Sequence, residues 1–142
     1  MLKNPGKVLR ELLSKPGIIM VPGIYDGISA RVTEQAGFKA GYLSGAGVAA
    51  SAIGEPDIGL TTMNDVVQVA RALTIKAKIP YICDADTGYG SVRNVIRTVH
   101  ELEAAGVACI QFEDQVAPKR CGHLDGKACV PPEEFVQKIR AA

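Results

Sequence analysis

The chain has no tryptophan, only seven other aromatic residues (four tyrosines and three phenylalanines), and a formal net charge of +1 with no long basic run. Sparse aromatics and balanced charge leave no electrostatic or stacking footprint for nucleic acid. No apolar run approaches the roughly 20 residues of a membrane span. Cys83, Cys109, Cys121 and Cys129 contain no C-x-x-C pair, and Met1 to Lys15 carries Pro5 and Glu11 with no small-residue cleavage site. That stretch reads as a leading helix and not a targeting peptide, so free thiols in a reducing, cytoplasmic setting are expected in place of a disulfide framework. A zinc site from Cys121, His123 and Cys129 is disfavoured, because Cys-x-His lacks the usual knuckle spacing. What remains, 142 residues with 47% apolar and 22% charged content, is the composition of one globular domain spanning residues 1–142 and suited to small-molecule chemistry.

Taken in order, two kinds of segment alternate. A leading helix over about 5–15, with Val8 to Leu13 amphipathic, ends at Pro16-Gly17. Gly17 to Pro22 reads as a buried strand, and Ile24 to Gly37 as a helix with a glycine stop. Lys39 to Ser44 is a second strand. Gly45 to Leu60, broken by glycines and Pro56, reads as a long loop. Thr62-Met63-Asn64-Asp65 is a capping box that opens a helix with Met63, Val66, Val67, Ala70 and Leu73 on its apolar face. Ile79 to Asp84 is the third strand, and Ser91 to Ala105 a helix stopped by Gly106. Val107 to Glu113 is the fourth strand, Asp114 to Val130 a polar loop, and Pro131-Pro132 opens a last helix. Four βα units imply an α/β fold with a parallel sheet, either doubly wound or part of a (β/α)₈ barrel.

Both architectures place chemistry at the carboxyl ends of the strands. Tyr25 and Asp26, Ser44 to Gly47, Asp84 with Asp86, and Glu113 all fall there. Alternation along a strand aims Asp84 and Asp86 at one point, where two carboxylates repel unless a cation joins them. Oxygen ligands favour a hard ion such as Mg²⁺, although Asp and Gly are also ordinary turn residues. Gly45-Ala46-Gly47-Val48-Ala49-Ala50 fits G-x-G-x-x-A, but a dinucleotide fingerprint must open a helix and meet an acidic strand end some twenty residues on. Here Gly54 and Pro56 interrupt, so these glycines are expected to let backbone N–H groups approach a carboxylate. Cys121 follows Lys119 and Arg120 and precedes His123 by two residues, a setting in which a thiolate is stabilised.

Ser44-Gly45-Ala46, Asp84-Ala85-Asp86-Thr87-Gly88-Tyr89-Gly90, Glu113-Asp114-Gln115 and Lys119-Arg120-Cys121-Gly122-His123, taken together and in this order, resemble the isocitrate lyase and phosphoenolpyruvate mutase superfamily. The Cys-Gly-His segment resembles its carbon–carbon lyase branch, the 2-methylisocitrate lyases above all. The resemblance implies a (β/α)₈ barrel of the TIM type that binds Mg²⁺, with Mn²⁺ an alternative, and cleaves a 2-hydroxy di- or tricarboxylate by a retro-Claisen route. It implies Asp84, Asp86 and Glu113 as metal ligands and Asp57 near them. Tyr42, Ser44, Gly45, Ala46 and Gly122 would bind substrate. Cys121 would be the proton donor, with Lys119, Arg120 and His123 holding its charge state and the anionic substrate. A homo-oligomer is implied as well.

Four βα units are half of such a barrel, so the chain is expected to be an N-terminal half with weak or no activity alone. Two other readings stay open. One is a non-catalytic half-barrel interaction module. The other is a phosphonomutase, phosphonopyruvate hydrolase or oxaloacetate hydrolase of the same superfamily, against whose phosphorus chemistry the thiol at Cys121 speaks.

Overall fold

Proline at the first helical position, where its missing N–H is no loss, starts α1 (Pro5–Leu13) in a computed structural model that describes residues 1–142. The strands are short: β1 (Gly23–Ile24), β2 (Gly41–Leu43), β3 (Tyr81–Asp84) and β4 (Cys109–Gln111). They form one parallel sheet in the order β1-β2-β3-β4. Strands that add in sequence order match part of a barrel, whereas an open doubly wound sheet reverses direction midway. No helix is long and apolar enough to cross a membrane.

Register explains the core. Ile24 lies beside Leu43, Leu43 beside Cys83, and Cys83 beside Ile110. The first three are at most 1% exposed, packed with Val66, Ala70 and Leu102. Each large side chain buried there contributes roughly 1.5–3 kcal/mol. The helices supplying this cover are α2 (Gly27–Gln35), α4 (Met63–Thr74) and α5 (Val92–Ala104). Asp26 caps α2 by accepting from Ser29 N–H at 2.7 Å, and Asp65 Oδ2 accepts from Thr62 N–H at 2.8 Å at the start of α4. The other sheet face carries Tyr42, Ile82 and Cys109, half-buried or exposed. A last helix, α6 (Pro132–Ala141), opens where Pro131-Pro132 predicts, and its buried Lys138 donates to Thr87 O at 3.1 Å.

Two sequence expectations are overturned. Gly17 to Pro22 is not a strand: β1 starts at Gly23, and Ile18 is 95% exposed. Its β-branched residues have the composition of a strand, but only Pro22 O, which accepts from Tyr42 N–H at 2.9 Å, reaches β2, and the ladder begins where Gly23 pairs with Tyr42. Nor is all of Gly45 to Leu60 a loop. Gly45–Val48 is a short helix, α3, continued by a π-helical turn over Ala49–Ile53. Ser44 caps it by accepting from Gly47 N–H at 3.2 Å, while Val48 and Ala49 are buried against the sheet. Tertiary burial outweighs the low helix propensity of glycine here. At Gly47 the small residue is required, since a Cβ there would lie 2.7 Å from Tyr25 Cβ.

Candidate active site at the strand tips

β3 delivers Asp84 at its last residue, and the chain then turns through Asp86 with φ +46°. A left-handed backbone is unusual for a side-chain-bearing residue and costs about 1–2 kcal/mol, a strain that tends to persist where it positions a functional group. Strict strand alternation therefore does not place Asp86. The two carboxylates nevertheless share one neighbourhood: a Cβ on Gly45 would lie 3.0 Å from Asp84 Oδ2 and 3.5 Å from Asp86 Oδ1. Gly45 N–H donates to Asp84 Oδ2 at 3.3 Å and Asp86 N–H to Asp84 Oδ1 at 3.1 Å. Glycine at 45 thus lets a backbone amide meet a carboxylate, in line with the sequence reading, although the carboxylate belongs to the protein itself.

The side chain that completes the cluster is Lys119. Its ammonium lies 2.6 Å from Asp57 Oδ1 and 2.7 Å from Asp86 Oδ1, with only 4% of the lysine side chain exposed. Both oxygens are buried and have no other hydrogen-bond partner. Burial alone would depress the ammonium's pKa, but the hydrogen bonds and charges of Asp57 and Asp86 outweigh it and raise it, so the lysine is held charged. Burial pushes the Asp86 carboxyl upward, Lys119 opposes it, and the charges of Asp84 and Asp57 add to the rise. Lys119 was expected beside the Cys121 thiol; it is turned instead into the carboxylates, because two uncompensated buried anions are the stronger demand.

Glu113 follows β4, and its N–H donates to Asp86 O at 2.7 Å. Its Oε2 accepts from Gln115 Nε2 at 2.8 Å, and burial first, then the charges of Asp84 and Asp86, push its pKa up against the pull of Lys119 and Gln115. Tyr42 OH donates to Gln111 Oε1 at 2.9 Å, and its phenol is shifted upward by burial and by the nearby Asp84. Ser44 spends its oxygen on the α3 cap, and Ala46 is exposed. Cys121 Sγ lies 3.6 Å from His123 Nδ1, so the expected thiol–imidazole pair is present. Arg120 is turned to Asp125 O at 3.2 Å, away from the thiol, and Gly122 stands in open space. Cys129 is exposed, and no three Cys, His, Asp or Glu side chains form a cage. That finding gives no support to the zinc alternative. It also means that Asp84, Asp86 and Glu113 are neighbours without being closed around one point.

The residues nonetheless fit a hard cation by their chemistry. The donors are buried carboxylate oxygens, Gly45 keeps the space beside them clear, and a cation, the Lys119 ammonium, already sits on two of them. Asp86 and Lys119 also line a groove of about 490 Å³ that includes Thr62, Asn64, Tyr89 and Arg97. Tyr89 OH is buried without a partner. Sequence reasoning quoted Tyr89 and Gln115 within motifs but gave them no task. For Gln115 a signal existed: it follows Glu113 by two residues, which sets both on one side of an extended segment.

Residues 9–142 match the family model described as phosphoenolpyruvate phosphomutase. The 2-methylisocitrate lyase of Aeropyrum pernix is 50% identical over 141 residues, covering 99% of this chain and 46% of that protein. The 2,3-dimethylmalate lyase of Eubacterium barkeri is 50% identical over 139 residues, covering 98% and 48%. Among solved structures, oxaloacetate acetylhydrolase in complex with 3,3-difluorooxalacetate superposes with a TM-score of 0.94 at 42% identity, covering 97% of this chain and 48% of that one. Phosphonopyruvate hydrolase in complex with oxalate and Mg²⁺ superposes at 0.85 with 31% identity, covering 98% and 47%. The chain spans about half the length of the curated relatives it matches.

Proposed function

The chain belongs to the phosphoenolpyruvate mutase/isocitrate lyase superfamily, and on that premise we propose that it supplies the N-terminal half of a cytoplasmic, Mg²⁺-dependent carbon–carbon lyase. Its substrate is a 2-hydroxy di- or tricarboxylate of the 2-methylisocitrate kind, cleaved to a 2-oxo acid and a dicarboxylate. The observation that carries this reading is the Lys119 ammonium shared by Asp57 and Asp86 beside Asp84, two residues before a thiol that lies near an imidazole. Relatives named as 2-methylisocitrate and 2,3-dimethylmalate lyases at 50% identity support the substrate class.

Asp84 and Asp86 would hold the metal, with Glu113 as a further ligand and Asp57 beside them. A divalent ion there supplies a Lewis acid that lowers the pKa of a substrate hydroxyl and offsets developing negative charge. In the cleavage the substrate hydroxyl would lose its proton to water, its oxygen would become the new carbonyl, and the carbon–carbon bond would break. The bonding pair passes to the departing carbon, which takes a proton. Cys121 would give that proton, and His123, whose Nδ1 lies 3.6 Å from the sulfur, would restore it. Gly45 fixes Asp84 through its N–H, and Tyr42 stands near that carboxylate with a phenol that stays protonated. The exposed apolar residues Ile18 and Met20 and the partly exposed sheet face support further protein packing here, in keeping with a homo-oligomer.

A second reading has its own support. The superposition on oxaloacetate acetylhydrolase, at a TM-score of 0.94, favours oxaloacetate as substrate, cleaved with water in place of an internal hydroxyl. Release of 2-oxo acid from 2-methylisocitrate and 2,3-dimethylmalate, and of oxalate from oxaloacetate, each with and without EDTA, separates the two. Loss of 2-oxo acid release with EDTA and in Cys121→Ser is expected. Cleavage that persists in both would contradict the proposal.

A further inference from the structure

The last helix, α6, turns a charged residue inward. Its one buried side chain is that of Lys138, while its other residues are half-buried or exposed. The ammonium is in no salt bridge, and its one hydrogen bond goes to Thr87 O at 3.1 Å, 51 residues away. An ammonium carries three donors, so a buried one with a single partner is held there at a cost. Thr87 lies in the turn after β3, where Gly88 N–H donates to Ala85 O at 2.9 Å and makes Asp86 and Thr87 the two central residues. Asp86 at φ +46° and Tyr89 at φ +58° put two side-chain-bearing residues of this segment in the left-handed region. Such backbone persists only where its surroundings over-determine it. Here three consecutive carbonyls are each taken by a different element: Asp86 O by Glu113 N–H at 2.7 Å, Thr87 O by Lys138, and Gly88 O by Thr98 Oγ1 of α5 at 3.2 Å. Thr98 shares its one hydrogen with Asn94 O at 2.9 Å, whereas Lys138 has no other acceptor.

We propose that Lys138 is a positioning residue for the Asp86 carboxylate, acting on it through the Thr87–Gly88 peptide. That peptide is held at both ends, its carbonyl by Lys138 and its N–H by Ala85 O. Rotating it would break both bonds at once. With them would go the turn that keeps Asp86 N–H on Asp84 Oδ1 at 3.1 Å and Asp86 Oδ1 on Lys119 at 2.7 Å. Lys138 forms no ion pair with either carboxylate; it fixes where one of them points. The lock stands on backbone geometry, and its consequence for cation affinity rests on the site proposed above.

The test reads amide exchange by nuclear magnetic resonance and Mn²⁺ affinity by electron paramagnetic resonance in the same variants. Lys138→Met keeps the apolar stem and removes the donors. Exchange at Gly88 N–H should quicken and Mn²⁺ binding weaken, each about tenfold, the scale of one charge-assisted hydrogen bond. Lys138→Arg restores a charged donor and should return both most of the way. Phe135→Ala, which trims a half-buried side chain of the same helix, should lower the melting temperature and move neither. Lys138→Gln, one atom shorter and out of reach of Thr87 O, takes the place of Lys138→Met if that variant does not fold. Unchanged exchange at Gly88 in Lys138→Met would overturn the proposal, as would an equal response to Phe135→Ala, which would reduce Lys138 to docking α6. Quickened exchange with unchanged Mn²⁺ affinity would overturn its hold on Asp86. If the unmodified chain binds no Mn²⁺, the cation site fails, and exchange at Asp86 N–H, also expected to quicken in Lys138→Met, decides the lock alone.

Discussion

Segments 45–53 and 114–130 flank the same carboxylates, and opposite forces hold them. The first is packed: Gly45, Val48 and Ala49 are buried, and Gly47 lies so close to Tyr25 that no side chain fits. The second has no buried apolar residue and is fixed by Lys119 and Gln115 through charge and hydrogen bonds. Apolar packing is insensitive to ions and has one arrangement. Charge pairs, by contrast, weaken as salt or pH changes. A wall held by apolar packing and one held by polar contacts thus stand on either side of the candidate site.

Substitutions should separate the two walls. The largest effect is expected from Lys119→Met, which leaves Asp57 and Asp86 buried without a counter-charge at a cost of about 3–5 kcal/mol. Urea denaturation measures it, and a loss below about 1 kcal/mol would mean these charge pairs carry little stability. Gly47→Ala should cost roughly 1–3 kcal/mol, because its Cβ meets Tyr25 Cβ at 2.7 Å and the backbone or ring must shift. Trypsin cleavage of the 114–130 loop should stay unchanged in that variant; accelerated cleavage would show that the walls are not independent.

A smaller effect, about 1 kcal/mol, is expected for Thr62→Ala at the cap of α4, in thermal unfolding. Its partner Asp65 has a pKa lowered by side-chain and then backbone hydrogen bonds with Thr62. A depressed folded pKa gives stability that is present above the unfolded value and lost as pH falls through the folded one. The Thr62→Ala penalty should therefore be full near pH 7 and shrink below pH about 4. A penalty that does not change with pH would place the cap's contribution elsewhere.

Much of the fold was legible because local rules and tertiary packing agree. The capping box at Thr62 and Asp65, the stop at Gly106 and the Pro131-Pro132 start each mark a boundary by backbone chemistry that needs no distant partner. The helix after Ser44 was not legible: its glycines signal a break, and only burial of Val48 and Ala49 against a sheet built from other segments reverses that. The run from Gly17 to Pro22 failed for the complementary reason, since strand composition cannot supply a neighbouring strand. At the site, the nearness of Asp84 to Asp86 and of Cys121 to His123 follows from their two-residue spacing, although the left-handed turn that places Asp86 does not. The Lys119–Asp57 pair joins residues 62 positions apart, and no local pattern records which of several nearby carboxylates a lysine will choose.

The most direct measurement is the anomalous scattering of a crystal of the chain soaked in Mn²⁺. A peak within coordinating distance of Asp84 and Asp86 is the expected result. No peak at the strand tips, or a peak elsewhere with Lys119 still bridging Asp57 and Asp86, would contradict it.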